Sequence, residues 1–238
     1  MNRFFTRLFL IGALIGSMIG TMTGAVTFAA AASKANPART NGKLDEVLAN
    51  MERAARTINT IEADMFQEKR DMQIGGAPEQ YAGRIYFSHG KACDKVRINY
   101  TKPAGQVVAV LCEEIDLYQP RIKQMIVTSR KAQAAKNQEF SFIATPYKSV
   151  PELKSQYNIV YVGDEQGNAK LDLTPKSQSS VQKLTLWVDQ TSWLPIKYRV
   201  IEKNNVATTF TLNNLTKNRN LSVDFKVKVA PGTKILRQ

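Results

Sequence analysis

The chain has 238 residues, with 33 basic and 20 acidic side chains, two cysteines and a single histidine. That length suits one domain with a real core, and 43% hydrophobic residues against 22% charged rule out a disordered or fibrous chain. The net charge of +13 is scattered, with no run of five or six basic residues, which reads as a solvated basic surface and gives no expectation of nucleic-acid binding.

The N-terminal segment reads as an address. Arg3 and Arg7 flank a charge-free run from Leu8 to Ala32 that ends in Ala29-Ala30-Ala31-Ala32. A basic start, an apolar middle and an Ala-x-Ala end predict a secretory signal peptide over residues 1–32, cleaved near Ala31 or Ala32. Gly12, Gly16, Gly20 and Gly24 weaken the alternative, a retained membrane anchor. No cysteine precedes Cys93, so a lipid-bearing N-terminus is not expected. The exported chain would be soluble, with its charge falling to +11 as the two leader arginines go.

A linker is expected over 33–41, with the domain filling 42–238. Asn41 is placed to cap a helix whose stripe is Leu44, Val47, Leu48, Met51, Ala54, Ala55 and Ile58. Ile61, Ala63 and Met65 then alternate with polar neighbours as a first strand, and Gly75-Gly76-Ala77-Pro78 marks a turn. Further strands are predicted at 83–88, 95–100, 106–111, 115–119 and 124–127. Residues 130–137 have helical composition and precede an apolar cluster, Phe140, Phe142 and Ile143. A short helix should start near Ser149-Val150-Pro151-Glu152, with proline in its first turn. Strands at 159–163 and 170–174 follow. Four C-terminal segments then alternate polar and apolar residues around Leu184, Ile196, Phe210 and Phe225.

The elements predict an α+β fold, a strongly curved antiparallel sheet of about ten or eleven strands with one N-terminal helix and one short helical insert. Too little helix follows to cover such a sheet. Cys93 and Cys112 bracket two strand-like runs symmetrically about a turn at 101–105, so a structural disulfide is favoured over a reactive pair. His89 lies where a strand runs into a turn and has no partner motif for catalysis, so a solvated turn histidine is favoured over a general base. Glu113 and Glu114 are adjacent on an extended segment and cannot readily share a site. Trp187 sits on the polar side of its strand. No nucleophile elbow, phosphate loop or metal-ligand set is present, so neither an enzyme nor a cofactor is expected.

The segments Ile61-Glu62-Ala63-Asp64-Met65-Phe66-Gln67, Gly83-Arg84-Ile85-Tyr86-Phe87, Leu117-Tyr118-Gln119-Pro120, Leu171-Asp172-Leu173-Thr174-Pro175-Lys176 and Val229-Ala230-Pro231-Gly232 are each short. In this order and spacing they together resemble the LolA family of periplasmic lipoprotein carriers. The resemblance runs from about Leu44 to Lys234. It implies an unclosed β-barrel with a helical lid and an apolar cavity that takes lipoprotein acyl chains, carrying them from inner to outer membrane. The implied partners are an inner-membrane lipoprotein-releasing complex and an outer-membrane receptor, with the carrier itself a periplasmic monomer. A periplasmic sensor or regulator on the same plan, binding a lipid or a membrane-protein partner, is the alternative.

Cavity candidates are Ile61, Ala63, Met65, Ile85, Phe87, Val108, Val110, Leu171, Leu173, Leu184, Leu186, Phe210 and Leu212, with Phe140, Phe142 and Ile143 on the movable insert. The family usually carries an Arg-Pro pair after the second strand, the arginine helping to hold the lid shut. This chain has Ser88-His89-Gly90-Lys91-Ala92-Cys93 there. Lys91 and Arg97 are the candidates for the missing latch.

Overall fold

Strand β1 (Thr60–Asp71) sets the pattern of the molecule. Its residues alternate half-buried and buried from Thr60 to Gln67, which puts Ile61, Ala63, Met65 and Gln67 on one face. The computed structural model describes residues 37–132 and 149–238. Helix α1 (Pro37–Arg56) precedes β1, and β2 (Glu79–Ser88), β3 (Lys95–Lys102), β4 (Val107–Val110) and β5 (Glu114–Gln119) follow it. A 3-10 turn (Pro120–Ile122) leads to β6 (Gln124–Ser129). Helix α2 (Val150–Gln156) then runs into β7 (Tyr157–Glu165), β8 (Asn168–Pro175), β9 (Val181–Asp189), β10 (Pro195–Glu202), β11 (Val206–Lys217) and β12 (Lys234–Arg237).

All of these strands join one 12-stranded sheet in the order β12-β6-β5-β4-β3-β2-β1-β11-β10-β9-β8-β7. Neighbouring strands pair antiparallel, β1 with β11 included, except that β12 lies parallel to β6. Twist accumulated over so many strands curls the sheet. β12 and β7 end the order, so the curl does not close. This is the unclosed α+β plan that the sequence predicts, with twelve strands.

One glycine is demanded by close approach. A β-carbon at Gly83 would collide with the Asn99 carbonyl oxygen, where the register between β2 and β3 shifts. The shift sets Tyr100 opposite Gly83.

Two apolar cores lie on opposite faces. The large one fills the concave face and joins Val47, Leu48 and Met51 of α1 and Val150 and Leu153 of α2 to the inward residues of the sheet. Arg53 and Arg56 fall in the last turn of α1, where positive charge suits the helix terminus. The smaller core lies on the convex face and groups Ala109, Tyr118, Met125, Val127 and Val227, with Val107 and Val229 packed against it. Among the described residues no helix is long and apolar enough to cross a membrane.

Three expectations about elements need correction. α1 begins at Pro37, so it takes in much of the expected 33–41 linker and Asn41 lies inside it. A first helical turn needs no backbone N–H donor, and proline is compatible there. Ile58 lies beyond the end of α1, although it is buried in the concave core. The segment around Phe225, expected as a strand, pairs with no other described strand. It crosses over the face of the sheet, and its alternation records one-sided burial of Val227 and Val229 without a ladder. The last strand is β12 instead. Of the expected insert, Phe140, Phe142 and Ile143 lie outside the described residues.

Candidate functional site

The register of the sheet turns the scattered candidates into rows. Ala63, Ile85, Ile98, Val108, Leu117 and Ile126 are successive cross-strand partners from β1 to β6. Ile61, Phe87, Val96, Val110 and Ile115 form a parallel row beside them. On the other side of β1, Met65 faces Leu212, and Phe210, Tyr198, Leu186 and Leu171 run from β11 to β8. Val200, Leu184 and Leu173 form the next row, in the same direction. Paired residues share a face, so each row is a band of apolar surface on the concave side. The thirteen described candidates all belong here: twelve are buried in the concave core, and Val108 is partly buried against it. Phe210 stacks on Tyr198 with ring centroids 4.8 Å apart.

Two helices cover part of this trough, and polar contacts tie them together. Glu52 of α1 accepts a hydrogen bond from the backbone N–H of Val150 at the start of α2 (2.8 Å) and from Arg56 one turn on (3.3 Å). Asp45 and Lys154 add an ion pair at 4.0 Å, and Ser149 caps α2 by accepting from the Glu152 N–H (3.4 Å). The carboxylate of Glu52 suits a helix start, where unbonded N–H groups converge. Sequence reasoning missed this tie. Its only signal was an acidic residue on the solvent side of α1, which nothing in the sequence links to residue 150. Burial raises the hydroxyl pKa of Tyr157 and Tyr161, at the β7 rim, to about 12, so both stay protonated.

Arg97, a candidate latch, lies on the face of the sheet opposite the helices. Its neighbours Val96 and Ile98 face the concave core, so Arg97 faces the convex side. There its guanidinium donates to the carbonyls of Asp224 (2.5 Å) and Lys226 (3.2 Å) and to the Asn99 side chain (2.7 Å). Burial lowers its pKa. Arg97 thus clamps the C-terminal segment across the outside of the sheet. The Ala230 N–H donates to the Tyr118 hydroxyl (3.3 Å), and β12 completes the attachment along the edge of β6. Lys91 is exposed in the loop between β2 and β3.

Cys93 and Cys112 are joined, with Cα atoms 5.5 Å apart, tying the β2–β3 loop to the end of β4. His89 is exposed in that loop, its Nδ1 2.7 Å from Asp94. Glu114 meets Arg237 of β12 at 3.4 Å. Trp187 lies on the convex face between Lys197 and Lys170, whose ammonium groups sit 4.5 and 5.1 Å from its ring centre. Among the described residues no group of three or more acidic, histidine or cysteine side chains is placed to hold a metal ion.

Beneath the C-terminal segment, Asp116 is buried on the convex face with Oδ1 unpaired among the described residues. Burial, reinforced by nearby Glu114, raises its pKa to about 6. The lower charge this implies suits a carboxyl group enclosed by Ala109 and Val127, its cross-strand neighbours.

Solved structures share the fold at low identity. An uncharacterised conserved protein from Thermus thermophilus is 12% identical with a TM-score of 0.53, the alignment covering 82% of this chain and 99% of that one. MucB is 15% identical with a TM-score of 0.51, covering 82% of this chain and 66% of that one. The LolA superfamily protein NE2245 from Nitrosomonas europaea is 15% identical, covering 74% and 94%, with a TM-score of 0.37. No curated protein matches the chain. The model of the outer membrane lipoprotein carrier protein LolA matches residues 56–227. That span takes in eleven of the twelve strands, and the chain belongs to the LolA family.

Proposed function

We propose that the concave trough holds the acyl chains of lipoproteins and that the protein carries them through the periplasm from the inner to the outer membrane. The observation behind this reading is the unbroken apolar row from Ala63 to Ile126, flanked by a second row of the same character. Burying one methylene is worth about 0.8 kcal/mol, so an acyl chain of about 16 carbons resists water by roughly 12 kcal/mol. A soluble carrier must offer comparable apolar surface and then give it up. Helices that pack their own Val47, Leu48 and Met51 into the trough supply a substitute guest when cargo is absent. Their mutual ties are a few polar contacts, weak enough to exchange.

Loading would come from an inner-membrane lipoprotein-releasing complex and unloading to an outer-membrane receptor. The test is lipid extraction and mass analysis of protein purified from a periplasmic fraction, together with uptake of a fluorescent fatty-acyl probe. Bound acyl lipid and saturable uptake are expected. A lipid-free protein that ignores the probe overturns the reading. The likeness of fold to MucB favours one other role, a periplasmic regulator, which membrane-protein capture without lipid transfer would support.

A further inference from the structure

The trough is not apolar along its whole length. Going along β1 from Ile61, the inward positions are Ile61, Ala63 and Met65, then Gln67 and Lys69. The change of character continues sideways. Gln67 is paired with Tyr81 on β2, and Lys69 with Thr208 on β11. Tyr81 and Tyr100 meet edge to face with centroids 6.4 Å apart, and the Tyr100 hydroxyl donates to Gln67 Oε1 at 3.5 Å. At about 3.3 Å per residue, Gln67 lies roughly 20 Å from Ile61 along the strand.

Two members of this end are enclosed and underused. Thr208 is 1% exposed, and its hydroxyl finds no partner among the described residues. Its cross-strand neighbour on β10 is Val200, which belongs to the concave core, so the hydroxyl is on the trough side. Gln67 is 6% exposed, and among the described residues its carbonyl oxygen accepts the long bond from Tyr100 and no other. A buried hydroxyl without a partner costs stability wherever it serves only the fold, and valine would fill the same space. Burial, with a hydrogen bond to Glu79, raises the pKa of Tyr81, so its hydroxyl stays protonated there.

We propose that this end of the trough receives the ester-bearing head of an acylglycerol, with Thr208 donating to the ester carbonyl and Gln67 pairing with a glycerol hydroxyl or the second ester. The inference rests on the acyl-carrier reading and deepens it by fixing which way the guest lies: tails along Met65, Ala63 and Ile61, head at Gln67 and Thr208. Apolar rows hold any greasy chain. The polar end selects an acylglycerol over a plain hydrocarbon.

The test is displacement of a bound fluorescent fatty-acyl probe from the full chain by decanoylglycerol and by chlorodecane, a chain of matching length without a hydrogen-bonding head. Two recovered hydrogen bonds predict a preference for decanoylglycerol of about tenfold in the unaltered protein. Thr208→Val with Gln67→Leu should reduce that preference to about twofold while chlorodecane binds as well as before, which also shows that the altered protein is folded. Thr208→Ser, which keeps the hydroxyl, should retain the preference. Equal binding of both compounds by the unaltered protein overturns the head site and leaves the acyl-carrier reading standing, as does a preference that survives both substitutions. Binding of neither compound overturns both.

Discussion

The sheet carries a cover on each face, and the two are attached in different ways. On the concave side, α1 and α2 lie over apolar rows and are tied to each other by Glu52, Asp45 and Lys154. On the convex side, the C-terminal segment is clamped by Arg97 and Tyr118 and finished with a strand bonded along β6. The disulfide stiffens the neighbouring hairpin. One cover is held by grease and a few exchangeable polar contacts, the other by main-chain hydrogen bonds and a covalent bridge nearby. Under the proposed carrier function, the concave cover is the one that gives way to a guest.

Changes on the two faces should therefore respond differently to an acyl guest. Phe210→Ala, which empties a fully buried site stacked on Tyr198, should destabilise by about 4 kcal/mol in chemical denaturation. Saturating acyl probe should restore part of that loss by filling the space. Replacing Cys93 and Cys112 together by alanine should cost about 3 kcal/mol, and here the probe should restore none of it.

Asp116→Asn is the third contrast. A carboxyl whose pKa is about 6 when folded and near the usual 3.8 when unfolded binds its proton more tightly in the native state. Its effect therefore weakens the fold as pH rises from about 4 to about 6 and stays constant above that. The asparagine variant should be more stable at pH 7 by about 1–2 kcal/mol, after allowance for screening, and should lose this part of the pH dependence. Denaturation series at pH 5 and pH 7.5 measure it. Glu52→Ala should be mildest, about 1 kcal/mol in stability, yet it should hasten probe uptake in stopped-flow mixing because it frees α2 from α1. If the Asp116 change alters uptake and the Glu52 change does not, the assignment of the movable cover is reversed.

Much of the sheet was legible because period-2 alternation is a local signal. Ile61, Ala63 and Met65 declare their face without help from the rest of the chain. The same signal misled at Phe225, where burial on one side comes from lying on a sheet and not from joining it. β12 was invisible, since Lys234-Ile235-Leu236-Arg237 is short and its partner β6 is more than a hundred residues away. Arg97 was chosen by proximity to an expected motif, although the parity of Val96 and Ile98 already assigns it outward. Gln67 and Thr208 share the inward parity of Met65 and Phe210, but nothing local marks a polar residue there as buried. Their burial depends on cross-strand register, which spacing alone does not supply.

The two terminal strands of the sheet, β7 and β12, are not bonded to each other. A closed barrel has its girth fixed by strand number and stagger, so it accepts guests of one calibre. With an unsealed seam, the wall between those strands can spread or narrow while every ladder in the sheet stays intact. Under the proposed carrier function, a single such vessel takes cargoes of unequal thickness, and its selectivity comes from the chemistry at its ends rather than from its bore.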